Sequence, residues 1–269
     1  LDVNSGATCI GSNSVVLCKL GNNLISSVSP SVGSTCAKST TCVSIFDDRW
    51  TNAVAYVSPS FAGLTATVAY VANESKAYHG AAASSNITGF DAGLKYANGP
   101  IMAAATYNAV TLGNQNGVIS SASTDINNFR LGGMYDFGMA TVRVLFDRTR
   151  ADHFGTTAAT FGTYTQNVFG LGGTFNVTPA GKIIGQVYVA RDVKFNGSSR
   201  NDTGAKLFEV GYEHSLSKRT ILKAVYAHLN NDNNANYDYG INAVGVSGFT
   251  TTPAGGAYGT NATLNGVQL

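Results

Sequence analysis

Residues 87–110 read ITGFDAGLKYANGPIMAAATYNAV. Phe90, Ala92, Leu94 and Tyr96 alternate with Asp91, Gly93 and Lys95. Successive side chains of a strand point to opposite faces, so this period of two predicts a strand with one apolar and one polar face. Asn98, Gly99 and Pro100 follow as a tight turn, and Ile101–Val110 runs back as a second strand.

The same rhythm extends in both directions. Upstream lie RWTNAVAYV (49–57), the turn SPSFAG and LTATVAYVA (64–72). Downstream, NNFRLGGMYDF and MATVRVLFDRT meet at a turn around Gly138, and QNVFGLGGTFN and KIIGQVYVAR meet at VTPAG. GAKLFEVGYEH and TILKAVYAHLN are joined by SLSKR, and ATLNGVQL opens one more strand. Ten strands and a shortened eleventh result, each about 9–11 residues, the length a tilted transmembrane strand needs. In Ala140–Asp147 one face carries Ala140, Val142, Val144 and Phe146, and the other Thr141, Arg143, Leu145 and Asp147. Phe129, Leu131, Gly133 and Tyr135 likewise lie opposite Arg130.

Composition narrows the class. Among 269 residues there are 31 Gly and 25 Asn, both poor helix formers, and only 12% are charged. The net charge of +2 excludes a strongly basic nucleic-acid binder, and 44% apolar residues are too many for disorder. No apolar run approaches the length of a membrane-spanning helix, which leaves a barrel open, because strands cross with alternate residues. The opening LDVNSGATCIGS has neither the basic start nor the apolar stretch of a secretion signal.

Alternation alone does not say which face is wet. Three features favour a membrane barrel over a sandwich. The apolar faces are studded with Ala and Gly, which suffice against lipid but fill a sandwich core poorly. Aromatic residues lie near strand ends, at Tyr56, Tyr70, Tyr96, Tyr107, Tyr135, Phe146, Tyr212 and Tyr226, as interfacial girdles require. Short and long connections alternate, with Pro59, Pro100 and Pro179 in the short ones. The fold class expected is therefore all-β, a transmembrane antiparallel β-barrel.

Two stretches carry a family resemblance. YEHSLSKRTILKAVYAHLNN (212–231) resembles the signature of Gram-negative general porins of the β-proteobacterial and neisserial type, with Lys223 where many members have an aromatic residue. NAVAYVSPSFAGLTATVAY (52–70) resembles a hairpin of the same family. The resemblance covers about residues 49–269. It implies a sixteen-stranded barrel, usually trimeric, of which about eleven strands are covered here, with a long third loop folded into the pore. Counted back from the C-terminus, residues 1–48 fall at that constriction loop and 49–269 form the C-terminal part of the barrel with its long external loops. The expectation is that five strands and the last few residues are missing.

The function implied is a general diffusion porin of the bacterial outer membrane, passing small hydrophilic solutes and ions. Its partners would be two further copies of itself, outer-membrane lipid and lipopolysaccharide, with no nucleic acid, no cofactor and no catalysis. The competing readings are a substrate-specific outer-membrane channel and, in a different class, a surface sandwich or solenoid adhesin.

Candidate site residues follow from strand parity. Arg49, Lys95, Arg130, Arg143 and Lys223, with Asp91, Asp147 and Glu213, are expected on the lumen side. Their functional reading is a pore lining with a mild preference for anions; the plain alternative is solvated charge on a wet wall. Lys19 and Lys38 against Asp2, Asp47 and Asp48 leave the constriction segment without an acidic bias. Cys9, Cys18, Cys36 and Cys42 lack the close spacing of a zinc site and are scattered from every His. In an exported loop they read as two disulfides, most simply Cys9–Cys18 and Cys36–Cys42 because short loops close at least entropic cost. Three pairings exist for four cysteines. The family usually lacks cysteine, so this loop departs from it. Gly170, Gly172 and Gly173 superficially suggest a phosphate loop, but they sit within an alternating strand with no helix after it. No catalytic or metal-ligating constellation is present in the sequence.

Overall fold

The structure, a computed structural model, describes residues 52–77, 85–112, 124–154, 162–235, 237, 261 and 263–268. Arg49, Cys9, Cys18, Cys36, Cys42 and the whole expected constriction segment 1–48 lie outside the described residues.

Every regular element among the described residues is a strand: β1 (Ala53–Val57), β2 (Leu64–Ala77), β3 (Ser85–Asn98), β4 (Ile101–Leu112), β5 (Thr124–Asp136), β6 (Ala140–Phe154), β7 (Gly162–Asn176), β8 (Gly181–Ala190), β9 (Lys194–Phe195), β10 (Ser198–Ser199), β11 (Ala205–Ser217), β12 (Thr220–Asn231) and β13 (Thr263–Gln268). They form one sheet whose main path runs β1-β2-β3-β4-β5-β6-β7-β8-β11-β12-β13, with the small β9–β10 hairpin attached to β7. All pairings are antiparallel between neighbours in the path. This is the ladder expected from the alternation, with eleven strands along the path.

The tight turns follow local chemistry. Between β3 and β4 only Gly99 and Pro100 intervene, and Gly99 takes φ +54°, a conformation that glycine adopts without steric penalty. Proline after it is held near −65°, which completes a two-residue hairpin turn. Between β5 and β6 the Asp136 carboxylate accepts a hydrogen bond from the Gly138 amide at 2.7 Å. At the β11–β12 turn the Ser217 hydroxyl oxygen accepts one from the Arg219 amide at 3.1 Å. Side-chain acceptors thus satisfy amides that the ladder leaves free.

Strands β2 to β7 run 12 to 15 residues, longer than the alternation suggested. The extra length lies at the long-connection end. β6 continues through RTRADHF to Phe154, well past the stretch MATVRVLFDRT, and only residues 155–161 separate it from β7. Beyond the apolar band both faces carry polar residues, and a period of two vanishes from the sequence while the hydrogen-bond ladder continues.

One face of the sheet carries the large exposed apolar side chains. Tyr70, Phe90, Leu94, Tyr96, Tyr107, Phe129, Leu131, Tyr135, Val144, Phe169, Leu171, Phe175, Val210, Tyr212 and Tyr226 all belong to it by register. Every aromatic residue expected in the girdles lies on this face. Phe129 on β5 and Phe137 just past its end are eight positions apart, roughly 26 Å along the strand direction. At a strand tilt of about 40° this is a rise of about 20 Å, within the roughly 25 Å apolar band of an outer-membrane barrel.

Candidate pore wall

On the opposite face, β1 to β4 present mostly small residues, among them Ala53, Ala55, Thr65, Thr67, Ala69, Gly89, Gly93, Ala104 and Thr106, with Val57, Val71, Met102, Asn108 and Val110 as the larger ones. Asp91 and Lys95 stand out of this low surface on β3, and Lys95 is exposed between its register partners Thr65 and Ala104.

The middle of the wall is charged and ordered. Arg130 on β5 and Asp147 on β6 are register partners, and the Arg130 Nε lies 2.8 Å from Asp147 Oδ2. The same oxygen accepts a 2.9 Å hydrogen bond from Asn128 Nδ2, while the Thr149 hydroxyl donates to the other oxygen at 3.4 Å. The Asp147 side chain is 1% exposed, so the pair is desolvated and its charge is balanced by these donors. Farther along, Glu213 on β11 sits between two cations. Its register partners are Lys182 on β8 and Lys223 on β12, with Nζ–Oε distances of 2.7 Å and 3.1 Å. Glu209, four positions before Glu213 on the same face, accepts a hydrogen bond from Gln186 Nε2.

Arg143 stands apart from these clusters. Its partners across the ladder are Met134 and Gly172, and its Nε donates to Met134 Sδ at 3.3 Å. Gly172 offers no side chain, so the guanidinium has room beside β7. Its Nη1 is buried with no protein acceptor among the described residues. Lys95 and Arg143 join no ion pair among the described residues.

The wall differs again at the long-connection end of β7, β8, β11 and β12. There the inward side chains are largely apolar, with Gln166 and Asn231 among them: Val168, Tyr188, Ala190, Ala205, Leu207 and Leu229 form one buried cluster with Leu145. The chain that leaves β12 folds back over them, adding Ala235 and Tyr237. Tyr237 is held at three points. Its hydroxyl accepts from Gln166 Nε2 at 2.6 Å, its amide donates to Asn231 Oδ1 at 2.7 Å, and its carbonyl accepts from Asn231 Nδ2 at 2.9 Å. Gly170 belongs to this packing. A Cβ there would come within 2.6 Å of the Tyr188 ring, so the glycines of β7 make room for neighbours and cradle no phosphate.

The structure thus places Asp91, Lys95, Arg130, Arg143, Asp147, Glu213 and Lys223 on a single face. It brings Arg130 to Asp147 and Lys223 to Glu213, and keeps Asp91, Lys95 and Arg143 out of those clusters. Lys182, Gln186, Glu209 and Asn128 join the site although parity reading passed over them. For Glu209 the signal was present, since it shares parity with Glu213. In KIIGQVYVA both faces are apolar, so Lys182 had no visible side.

A model of the Gram-negative porin family matches residues 10–234. An outer membrane porin protein of Bordetella pertussis is 27% identical over 214 residues, covering 68% of this chain and 53% of the relative. Outer membrane porin protein 32 of Delftia acidovorans is 29% identical over 185 residues, covering 68% of this chain and 47% of the relative. A solved anion-selective porin from Comamonas acidovorans superposes with a TM-score of 0.55 at 27% identity, over 68% of this chain and 50% of that one. The chain spans about half the length of the curated relatives it matches. With a match that takes in most of its length and a two-faced antiparallel ladder to go with it, the chain belongs to the Gram-negative porin family, β-barrel proteins of the bacterial outer membrane.

Proposed function

We propose that the protein is a general diffusion channel, passing small hydrophilic solutes and ions through a water-filled lumen lined by the charged face. The observation that carries this reading is the division of one sheet into a continuous apolar, aromatic-banded face and a face bearing Arg130, Asp147, Lys182, Glu213 and Lys223. A lipid-facing band requires the first, and hydrated solutes require the second. The work is sieving by width and electrostatic bias, with no chemical step. Homotrimeric assembly is the proposed state of the complete protein, in keeping with the habit of the family.

The charges on the inward face of the described strands balance, Lys95, Arg130, Arg143, Lys182 and Lys223 against Asp91, Asp136, Asp147, Glu209 and Glu213. A mild preference for anions is proposed on the likeness to the solved porin from Comamonas acidovorans, which is described as anion-selective; low-dielectric walls would focus any such bias along the lumen. The test is conductance of the full-length protein in planar bilayers. Ohmic steps with a reversal potential displaced toward the anion under a KCl gradient are expected. Absence of steps overturns the channel, and conductance blocked by one solute at low concentration replaces the general porin with a substrate-specific one.

A further inference from the structure

The chain has three methionines, Met102, Met134 and Met139. Two of them meet on the inward wall. Met102 on β4 and Met134 on β5 are register partners, and Met134 is in turn level with Arg143 on β6. Neighbouring strands lie about 5 Å apart, so two thioethers and a guanidinium form one continuous row. All three side chains are half-buried. On the far side of Arg143 stands Gly172, which has no side chain.

The contact between Met134 and Arg143 is chemically unequal. Arg143 Nε donates to Met134 Sδ at 3.3 Å, and a thioether sulfur is a weak acceptor. Arg143 Nη1 is buried with no protein acceptor among the described residues, and Arg143 joins no ion pair among them. The row therefore sets an uncompensated cation against an oxidisable sulfur. Met139, at the β5–β6 turn, supplies the contrast: it is 59% exposed and far more open to solvent than Met134.

We propose that Met134 is a modification site, oxidised to its sulfoxide by anionic peroxo acids that enter the lumen and are drawn to it by Arg143. The proposal rests on the reading of this face as the wall of a water-filled lumen. In the step itself the sulfur lone pair attacks the terminal peroxide oxygen. An S–O bond forms and the O–O bond breaks. The thioether is oxidised by two electrons. The peroxo acid, reduced by the same two, leaves as its parent oxyacid anion, with the peroxide proton on the leaving oxygen. Arg143 acts before and after this step. Its charge raises the local concentration of the anion, because low-dielectric walls confine the field. Afterwards the sulfoxide oxygen offers the guanidinium a strong acceptor where the thioether was a weak one. A guanidinium held in this way draws passing anions less. The change is reversible, since methionine sulfoxide reductases restore the thioether.

The test treats the full-length protein, folded in detergent, with peroxymonosulfate or with hydrogen peroxide, a neutral peroxide. Each methionine is followed by peptide mass spectrometry. Peroxymonosulfate is expected to oxidise Met134 about tenfold faster than Met139, the low end of the gain a confined charge gives. Met102, one strand farther from Arg143, should fall between them. Hydrogen peroxide should follow exposure and take Met139 first. Arg143→Gln should abolish the lead of Met134 with peroxymonosulfate and leave the hydrogen peroxide order unchanged, whereas Arg143→Lys, which keeps the charge, should keep the lead. The oxidised parent should show a reversal potential moved toward the cation and restored by the reductases, and Met134→Leu should show no such shift. The same order with both reagents, a Met134 lead that survives in Arg143→Gln, or an equal shift in Met134→Leu overturns the proposal. Bilayer conductance separates it from the channel reading: ohmic steps with Met134 unreactive sink the modification site alone, whereas a protein without steps removes the lumen on which the site depends.

Discussion

The inner wall is built in two ways. Across β1 to β4 it is mostly a low surface of Ala, Thr and Gly, from which Asp91, Lys95 and a few larger residues such as Val71 and Val110 stand out. Across β7 to β12 it is thick, with Tyr188, Leu207 and Leu229 packed beneath Ala235 and Tyr237 and with buried carboxylates at Glu209 and Glu213. Backbone pairing is the same in both. The difference lies in what covers the inward side chains. Where chain folds back over the wall, apolar residues can point inward and be buried. Across β1 to β4 the inward positions are mostly small or polar, with Val57, Val71, Met102 and Val110 as the larger apolar exceptions.

The largest test of this contrast breaks the ordered middle. Asp147→Ala strips the mostly buried Arg130, 15% exposed, of its counter-ion and should cost about 3 kcal/mol, the lower end for breaking a buried pair. It is read as a lower urea midpoint for the folded, heat-modifiable band on a gel. A loss within experimental error would show that Arg130 finds water and that the pair is not structural. Next comes the covered cluster. Leu207→Ala should cost about 2–5 kcal/mol, because neighbouring strands cannot collapse into the space. Thr67→Ala, on the low side, should cost under about 1 kcal/mol. Equal effects would erase the distinction between the two walls.

A smaller effect is expected at Glu213. Lys182→Ala or Lys223→Ala alone leaves one cation on the carboxylate, and each should cost about 1 kcal/mol or less. The double variant should cost more than the sum of the two, because it leaves a buried carboxylate without a partner. Simple additivity in a double-mutant cycle would refute the sharing. The smallest expected change is one of selectivity. Lys95→Glu reverses an exposed charge on the low wall, moving the reversal potential toward cations without altering stability, and the shift should shrink as salt shortens the screening length. An unmoved potential would take Lys95 out of the permeation path.

How much of this was readable in the residues depended on the periodicity. In Phe90–Tyr96 and Ala140–Asp147 one face is apolar and the other polar, so strand, parity and the shared face of Asp91, Lys95, Arg143 and Asp147 all followed. In KIIGQVYVA the period carries no side, because Ile184 and Tyr188 face inward as Ile183 and Val187 face outward. Lys182 and Gln186 were accordingly missed. At RTRADHF polarity on both faces concealed strand that the ladder continues through.

The sequence by itself determined the strands, their antiparallel order, the tight turns at Gly99 and Gly138, and the aromatic face, because each depends on residues at most a few positions apart. The partners did not follow from it. That Arg130 meets Asp147, that one carboxylate at Glu213 serves two lysines, and that Tyr237 closes over Leu207 and Leu229 depend on which residues lie level across strands 10 to 40 positions apart or more. Register across strands is set by the whole ladder closing its hydrogen bonds together, and a slip of one residue would exchange every inward side chain for an outward one. Only the tertiary structure makes that choice.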